Sequence, residues 1–285
     1  MGENNFNGVY TMSLLRIKIY QPQSHYRIPF TYQRRHTYPI PPYSTFIGFL
    51  CNVLGIYDQR TELYQEGILN LKISLAGRFE SKITEYIWFR NLKKEKHIQR
   101  FGFVENRETN GHIEHIGGQS PMRIDVLNEV HIVVYLAHKE KKYLEVIKEN
   151  LMNPINRLEI LHLGRAEDWI VLEEEPKYLD DSEISYERRD ADYKYFFWIP
   201  NQFFIKNGNG WEIKKNNKYE GLLYNLPTFV TIKDYETTFN RHGVRIFDYV
   251  RTKLNDGLIK EEKVLLDVSD KKNILPIFLG ELNGK

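Results

Sequence analysis

From Leu14 to Tyr20 apolar residues alternate loosely with basic ones (LLRIKIY), which predicts a half-buried strand. Ser44–Leu54 then places Phe46, Phe49, Leu50, Val53 and Leu54 at helical spacing, with Ser44 as the expected N-cap and Gly55 where a helix stops. Leu69–Phe79 alternates again as a second strand, and Glu129–Ala137 (EVHIVVYLA) is a dense β-branched run expected to be buried on both faces. Lys141–Leu151 repeats Tyr143, Leu144, Ile147 and Leu151 at helical intervals, and Leu158–Leu163 is a short apolar last strand. The succession strand, helix, strand, strand, helix, strand predicts an α+β, ferredoxin-like domain over 14–168, the arrangement that RNA-recognition modules use.

Three stretches interrupt that pattern. Glu80–Asn128 is far too long for a turn, and Thr84–Arg90 and His97–Val104 read as two strands of a protruding hairpin, with Lys93, Lys94 and Lys96 between them and glycines 111, 117 and 118 near its return. Arg100–Val104 partly imitates an RNA-recognition signature but lacks the glycine after the basic residue, so it is read as chance or as packing within the hairpin. Residues 169–192, with Glu173, Glu174, Glu175, Asp180, Asp181, Glu183 and Glu187, read as an acidic linker pointing away from RNA or toward a basic partner. From 193 to 285 the chain is aromatic and β-rich, with a strong hairpin turn at Asn207–Gly210, which predicts a smaller β domain. Arg241, His242, Arg245 and Arg251 give it a basic patch. Residues 1–13 read as a polar extension.

Net charge does not announce a nucleic-acid partner: the formal value is +2 over 285 residues. The local distribution does. Tyr26–Pro42 contains no Asp or Glu and interleaves Arg27, Arg34, Arg35 and His36 with Tyr26, Phe30, Tyr32 and Tyr38. It delivers the chain into the helix N-terminus at Ser44, where unpaired N–H groups favour an anion. Aromatic faces among arginines suit stacked bases, so the segment reads as a site for single-stranded RNA, although an ordinary solvated loop has the same composition. Gly48 inside the helix costs about 1 kcal/mol relative to alanine and marks a close approach to that turn, whether by a ligand or by another backbone of the protein.

No disulfide framework is open to a chain with one cysteine, and Cys51, on the apolar helix face, is expected to be a small buried hydrophobe. With no apolar run near ~20 residues and no leader pattern, a cytoplasmic protein without membrane contact is expected. His112 and His115 stand three apart, but no cysteine or carboxylate pair completes a metal site, and no nucleotide-binding or nucleophile motif is present, so neither metal nor cofactor is expected. The enzymatic alternative is metal-independent RNA cleavage, with Tyr57 and His112 or His115 as acid and base.

Ile19-Tyr20-Gln21-Pro22, then Tyr26-Arg27-Ile28-Pro29-Phe30, then Tyr38-Pro39-Ile40-Pro41-Pro42-Tyr43-Ser44-Thr45-Phe46-Ile47-Gly48 resembles the N-terminal signature of the fifth Cas family of CRISPR-associated proteins, a RAMP-type subunit of the type I Cascade complex. Leu163-Gly164-Arg165-Ala166-Glu167-Asp168-Trp169 resembles that family's later Gly-Arg-x-Glu-Asp element. The resemblance is to the type I-B-like branch and implies a non-catalytic subunit that caps the 5′ handle of the crRNA. Its partners would be the Cascade backbone and large subunits, with target DNA met indirectly in antiviral DNA interference. It implies that the hairpin is a thumb lying across the guide, with Lys93, Lys94, Lys96, Arg100, Arg107 and Arg123 on the RNA backbone, and adds Thr45 and Arg165 to Ser44 and Gly48 as RNA-binding positions. One branch of the family cuts repeat RNA with Tyr, Lys and His; here a contiguous Lys-His pair is missing. A free-standing RNA-binding adaptor outside any CRISPR complex is a third reading.

Overall fold

A computed structural model of the chain describes residues 12–29, 31, 34–91, 108–109, 112–113, 118–208, 210–216, 218–232, 245–260 and 262–282. Four strands form its centre: β1 (Ser13–Ser24), β2 (Arg34–Arg35), β3 (Lys72–Arg78) and β4 (Ser81–Asn91) all pair with one 21-residue strand, β5 (Gly118–His138). Helix α1 (Tyr43–Val53) lies between β1 and β3 in sequence, and α2 (Lys141–Met152) follows β5. Two short edge strands, β6 (Val171–Leu172) and β7 (Lys177–Tyr178), add antiparallel to the outer side of β1. The order across the centre is therefore β6/β7, β1, β5, β3, all antiparallel.

The β5 run is apolar on both sides because both sides are covered. Ile132, Val134 and Leu136 join Phe46, Leu50, Val53 of α1 and Leu144 and Ile147 of α2 in one cluster. Val133, Tyr135 and Ala137 face the opposite way, against Phe197, Phe203, Leu265 and Phe278 from the C-terminal part. That part also extends the sheet itself. β8 (Phe196–Pro200) pairs with β3 at Ala76–Gly77, β9 (Leu222–Ile232) and β10 (Arg245–Asn255) continue outward, and β12 (Leu279–Glu281), which follows β11 (Lys263–Asp267), pairs with β3 at Ile73. A buried ion pair crosses the second cluster: Arg16 donates to Asp267 at 2.7 Å, and Tyr135 donates its hydroxyl to the same carboxylate.

β4 covers the expected strand 84–90 and pairs with the N-terminal half of β5, Ser81↔Asn128 to Asn91↔Gly118; the other expected hairpin strand, 97–104, lies outside the described residues. β5 thus runs from an outlying arm into the core. At the junction Glu129 has φ 53, and the partner strand changes from β4 to β3.

Residues 158–163 do not form the expected last strand; among the described residues only a single bridge, His162↔Trp169, occurs there. The chain leaving α2 is pinned to α1 instead: Leu158 N donates to Asn52 O at 3.1 Å and Glu159 N to Asn52 Oδ1 at 2.9 Å. Edge pairing passes to β6 and β7. The acidic stretch is built into that edge, with Glu174 on Arg16 and Lys18, Glu175 on Lys148 and Glu173 on His131. No helix among the described residues is long and apolar enough to cross a membrane.

Candidate nucleic-acid interface

The basic loop is tied down at both ends. Tyr26–Arg27 pairs antiparallel with Thr37–Tyr38, and between them β2 adds in parallel to β5, Arg34↔Arg123 and Arg35↔Ile124. The two tyrosines that close the loop are core residues, 1% and 5% exposed, which corrects their assignment as stacking faces. Tyr26 donates its hydroxyl to Gln21, burial pushing the phenol well above its usual range. Tyr38 packs edge-on against Trp198 and Tyr224, and Trp198 donates to Pro41 O at 3.0 Å. Arg27 and Arg34 are exposed; Arg35 and His36 are half-buried. Phe30 and Tyr32 lie outside the described residues.

Exposed aromatic side chains stand instead on β4. In register, Arg34 lies beside Arg123 on β5, and Arg123 lies opposite Tyr86 on β4. Residues directly paired across strands share a face, and so do residues two apart along a strand. Lys82, Thr84, Tyr86 and Trp88 therefore line one side, with Tyr86 and Trp88 61% and 56% exposed and their rings 6.4 Å apart, edge to face. Two arginines side by side repel unless an anion lies between them. The sequence signal for Tyr86 and Trp88 was the alternation of β4 itself. Beneath them, Asp125 is 1% exposed and accepts from Thr84 Oγ1 at 2.9 Å and is bonded to His36 Nδ1 at 2.8 Å.

α1 begins one residue earlier than expected, with Pro42 at the cap position and no side-chain cap, so Ser44 is not the N-cap. Ser44 and Thr45 instead border an open groove of about 440 Å³ whose other walls include Cys51, Asn52, Leu158, Glu159, His162 and Gly164. Gly48 lines it as well. A Cβ at Gly48 would meet nothing within 4 Å, so among the described residues no other backbone approaches that turn. Cys51 is half-buried, and burial pushes its thiol up to about 12.

Arg165 is fastened rather than offered. Its side chain donates to Asp168 Oδ1 at 3.0 and 2.8 Å and has Glu85 and Glu167 within 3.7 Å. Asp168 also accepts from the backbone N of Arg165 and of His25, and Gln21 donates to the carbonyls of Leu163 and Asp168. The Gly-Arg-x-Glu-Asp element is a clasp that joins 163–168 to the end of β1. Tyr57 is 75% exposed beyond α1. His112 lies in a two-residue strand paired with Thr109, its side chain undescribed; His115, Lys93, Lys94, Lys96, Arg100, Arg107, Arg241 and His242 lie outside the described residues.

The family model for CRISPR-associated protein (Cas_Cas5) matches residues 14–259. The chain belongs to this Cas5 family. Both blocks that resemble the fifth Cas family, 19–48 and 163–169, fall within the matched span. No curated protein sequence matches the chain. Among solved structures, a chain of a CRISPR RNA-guided surveillance complex is 11% identical, with 87% of this chain and 91% of that chain covered and a TM-score of 0.47. A CRISPR protein from Archaeoglobus fulgidus is 11% identical, with 95% and 100% covered and a TM-score of 0.37. A chain of a type III-B Cmr-beta complex bound to target RNA is 11% identical, with 87% and 85% covered and a TM-score of 0.37. The Cas5 assignment rests on the family model and not on these likenesses.

Proposed function

We propose that this Cas5-family chain is a non-catalytic subunit of a type I CRISPR surveillance complex that binds and caps the 5′ handle of the crRNA and contacts the backbone and large subunits. The strand order β6/β7, β1, β5, β3 with two helices on one face supports a ferredoxin-like reading. The arm of β4 and β5 is then the stem of the thumb. The observation that carries the RNA reading is the exposed pair Arg34 and Arg123, side by side and opposite the Tyr86–Trp88 pair. Charge for phosphates and faces for bases stand on one surface, as single-strand binding needs.

The test is a titration of handle RNA by fluorescence anisotropy at several salt concentrations. Arg34→Ala and Arg123→Ala should each weaken binding and lower the slope of log K against log salt by about 0.7, the value for one lost phosphate contact on a single strand. Unchanged affinity and slope in both variants would refute the interface. In EDTA the purified chain should leave repeat RNA intact; cleavage there would replace capping with processing.

A further inference from the structure

The charges on this surface do not account for the pair beneath them. His36 Nδ1 is 2.8 Å from Asp125 Oδ2, while Thr84 donates to the other oxygen and the Lys82 ammonium stands 3.6 Å away. Burial alone would push the Asp125 carboxyl up, but the hydrogen bonds from His36 and Thr84 and the charge of Lys82 outweigh it and hold the group below the usual carboxylate range. An ionised carboxylate can only accept, so the proton of this contact sits on Nδ1. With the ring neutral Nε2 is then a bare acceptor, whereas an imidazolium would donate there. The imidazole is 40% exposed, and among the described residues the contact of Nδ1 with Asp125 is the ring's one bond.

An acceptor is out of place on a surface built for phosphate. Arg34 and Arg123 are donors only, and a phosphate oxygen brings no proton for Nε2. The ligand must supply a donor, and the donor that recurs at every nucleotide, whatever its base, is the ribose 2′-hydroxyl, which DNA lacks. We propose that His36, oriented by Asp125, accepts a hydrogen bond from a ribose 2′-hydroxyl and so makes this face select RNA over DNA. His36 is the specificity-determining residue and Asp125 a positioning residue that fixes its tautomer. The inference rests on the RNA-binding reading above.

The test measures affinity for handle RNA and for DNA of the same sequence by anisotropy, in wild type, His36→Phe, His36→Gln and Asp125→Asn, with a thermal melt of each. Wild type should prefer RNA. His36→Phe should reduce RNA affinity about fivefold, one net hydrogen bond, and leave DNA affinity and the salt slope unchanged. His36→Gln, which keeps an acceptor, should retain part of the preference, and Asp125→Asn should lose part of it at unaltered DNA affinity. A preference for RNA that survives His36→Phe, or an equal loss for both polymers, overturns the proposal while leaving RNA binding in place. RNA scission that disappears in His36→Phe overturns it in favour of proton abstraction from the same hydroxyl. Failure of wild type to bind either polymer would instead remove the RNA-binding reading itself.

Discussion

Arg16 and Asp267 meet at 2.7 Å with both side chains almost wholly covered, and Ser269 and Tyr135 complete the carboxylate's bonds. Removing one partner leaves the other charge buried and alone, so Asp267→Ala should cost about 3–5 kcal/mol by denaturant titration. Burial raises the Asp267 carboxyl, but the bonds from Ser269 and Arg16 more than reverse this, and its folded titration lies below the ordinary carboxylate range. The pair therefore stabilises the fold at every pH above about 4, the unfolded value, and this contribution disappears as pH falls through the lowered folded value. Wild type should lose melting temperature on acidification below that point more steeply than Arg16→Met/Asp267→Leu; parallel curves would show that the pair does not titrate with folding. None of this was legible locally, since Arg16 is one of two basic residues in the pattern of β1 and its partner lies far along the chain.

α1 shows what an element's own sequence settles and what it leaves open. Its apolar face and its stop at Gly55, with φ 70, followed from helical spacing and from the one residue that adopts that backbone freely. Its start did not, because a proline holds the cap position without a side-chain acceptor and Ser44 falls inside the first turn. Ser44→Ala should hence cost well under the ~1 kcal/mol of a lost cap. Gly48→Ala should raise stability by up to about 1 kcal/mol, since helix propensity improves and open space receives the methyl group. Gly48→Leu should melt no lower than wild type yet bind handle RNA more weakly if the groove seats RNA; undiminished affinity would assign the groove to another role. The clasp behaves oppositely. Gly164 has φ 118, and a Cβ there would come within 2.7 Å of Asp168 Oδ2, so Gly164→Ala should lower the melting temperature clearly. Residues 158–163 misled because their apolarity suits a strand, whereas the bonds to Asn52 that hold them off the sheet connect segments far apart in sequence.

Across the whole molecule the early strands and both helices were readable, and the last strand of the expected order and the pairing of distant strands were not. A composition change near 169 suggested a linker and a separate β domain, but the acidic residues there neutralise Arg16, Lys18, His131 and Lys148, and β3 takes β8 and β12 as its outer neighbours. A chain ending at residue 192 would leave β3 as a bare edge and uncover Val133, Tyr135 and Ala137. Residues 12–192 alone should aggregate or melt without cooperativity in calorimetry; a sharp, reversible transition would establish an independent N-terminal unit.

Because β5 is a single continuous strand from Gly118 to His138, the described part of the arm has no joint beyond the turn of backbone at Glu129. Load applied at the arm is delivered to the middle of the sheet, as along a shaft seated in a bearing. Amide hydrogen exchange should read this directly. Protection should be highest at Val134 and fall along the same strand toward Gly118, with its one step at Glu129, and whatever immobilises the outer arm should slow exchange on the core side of that step as well.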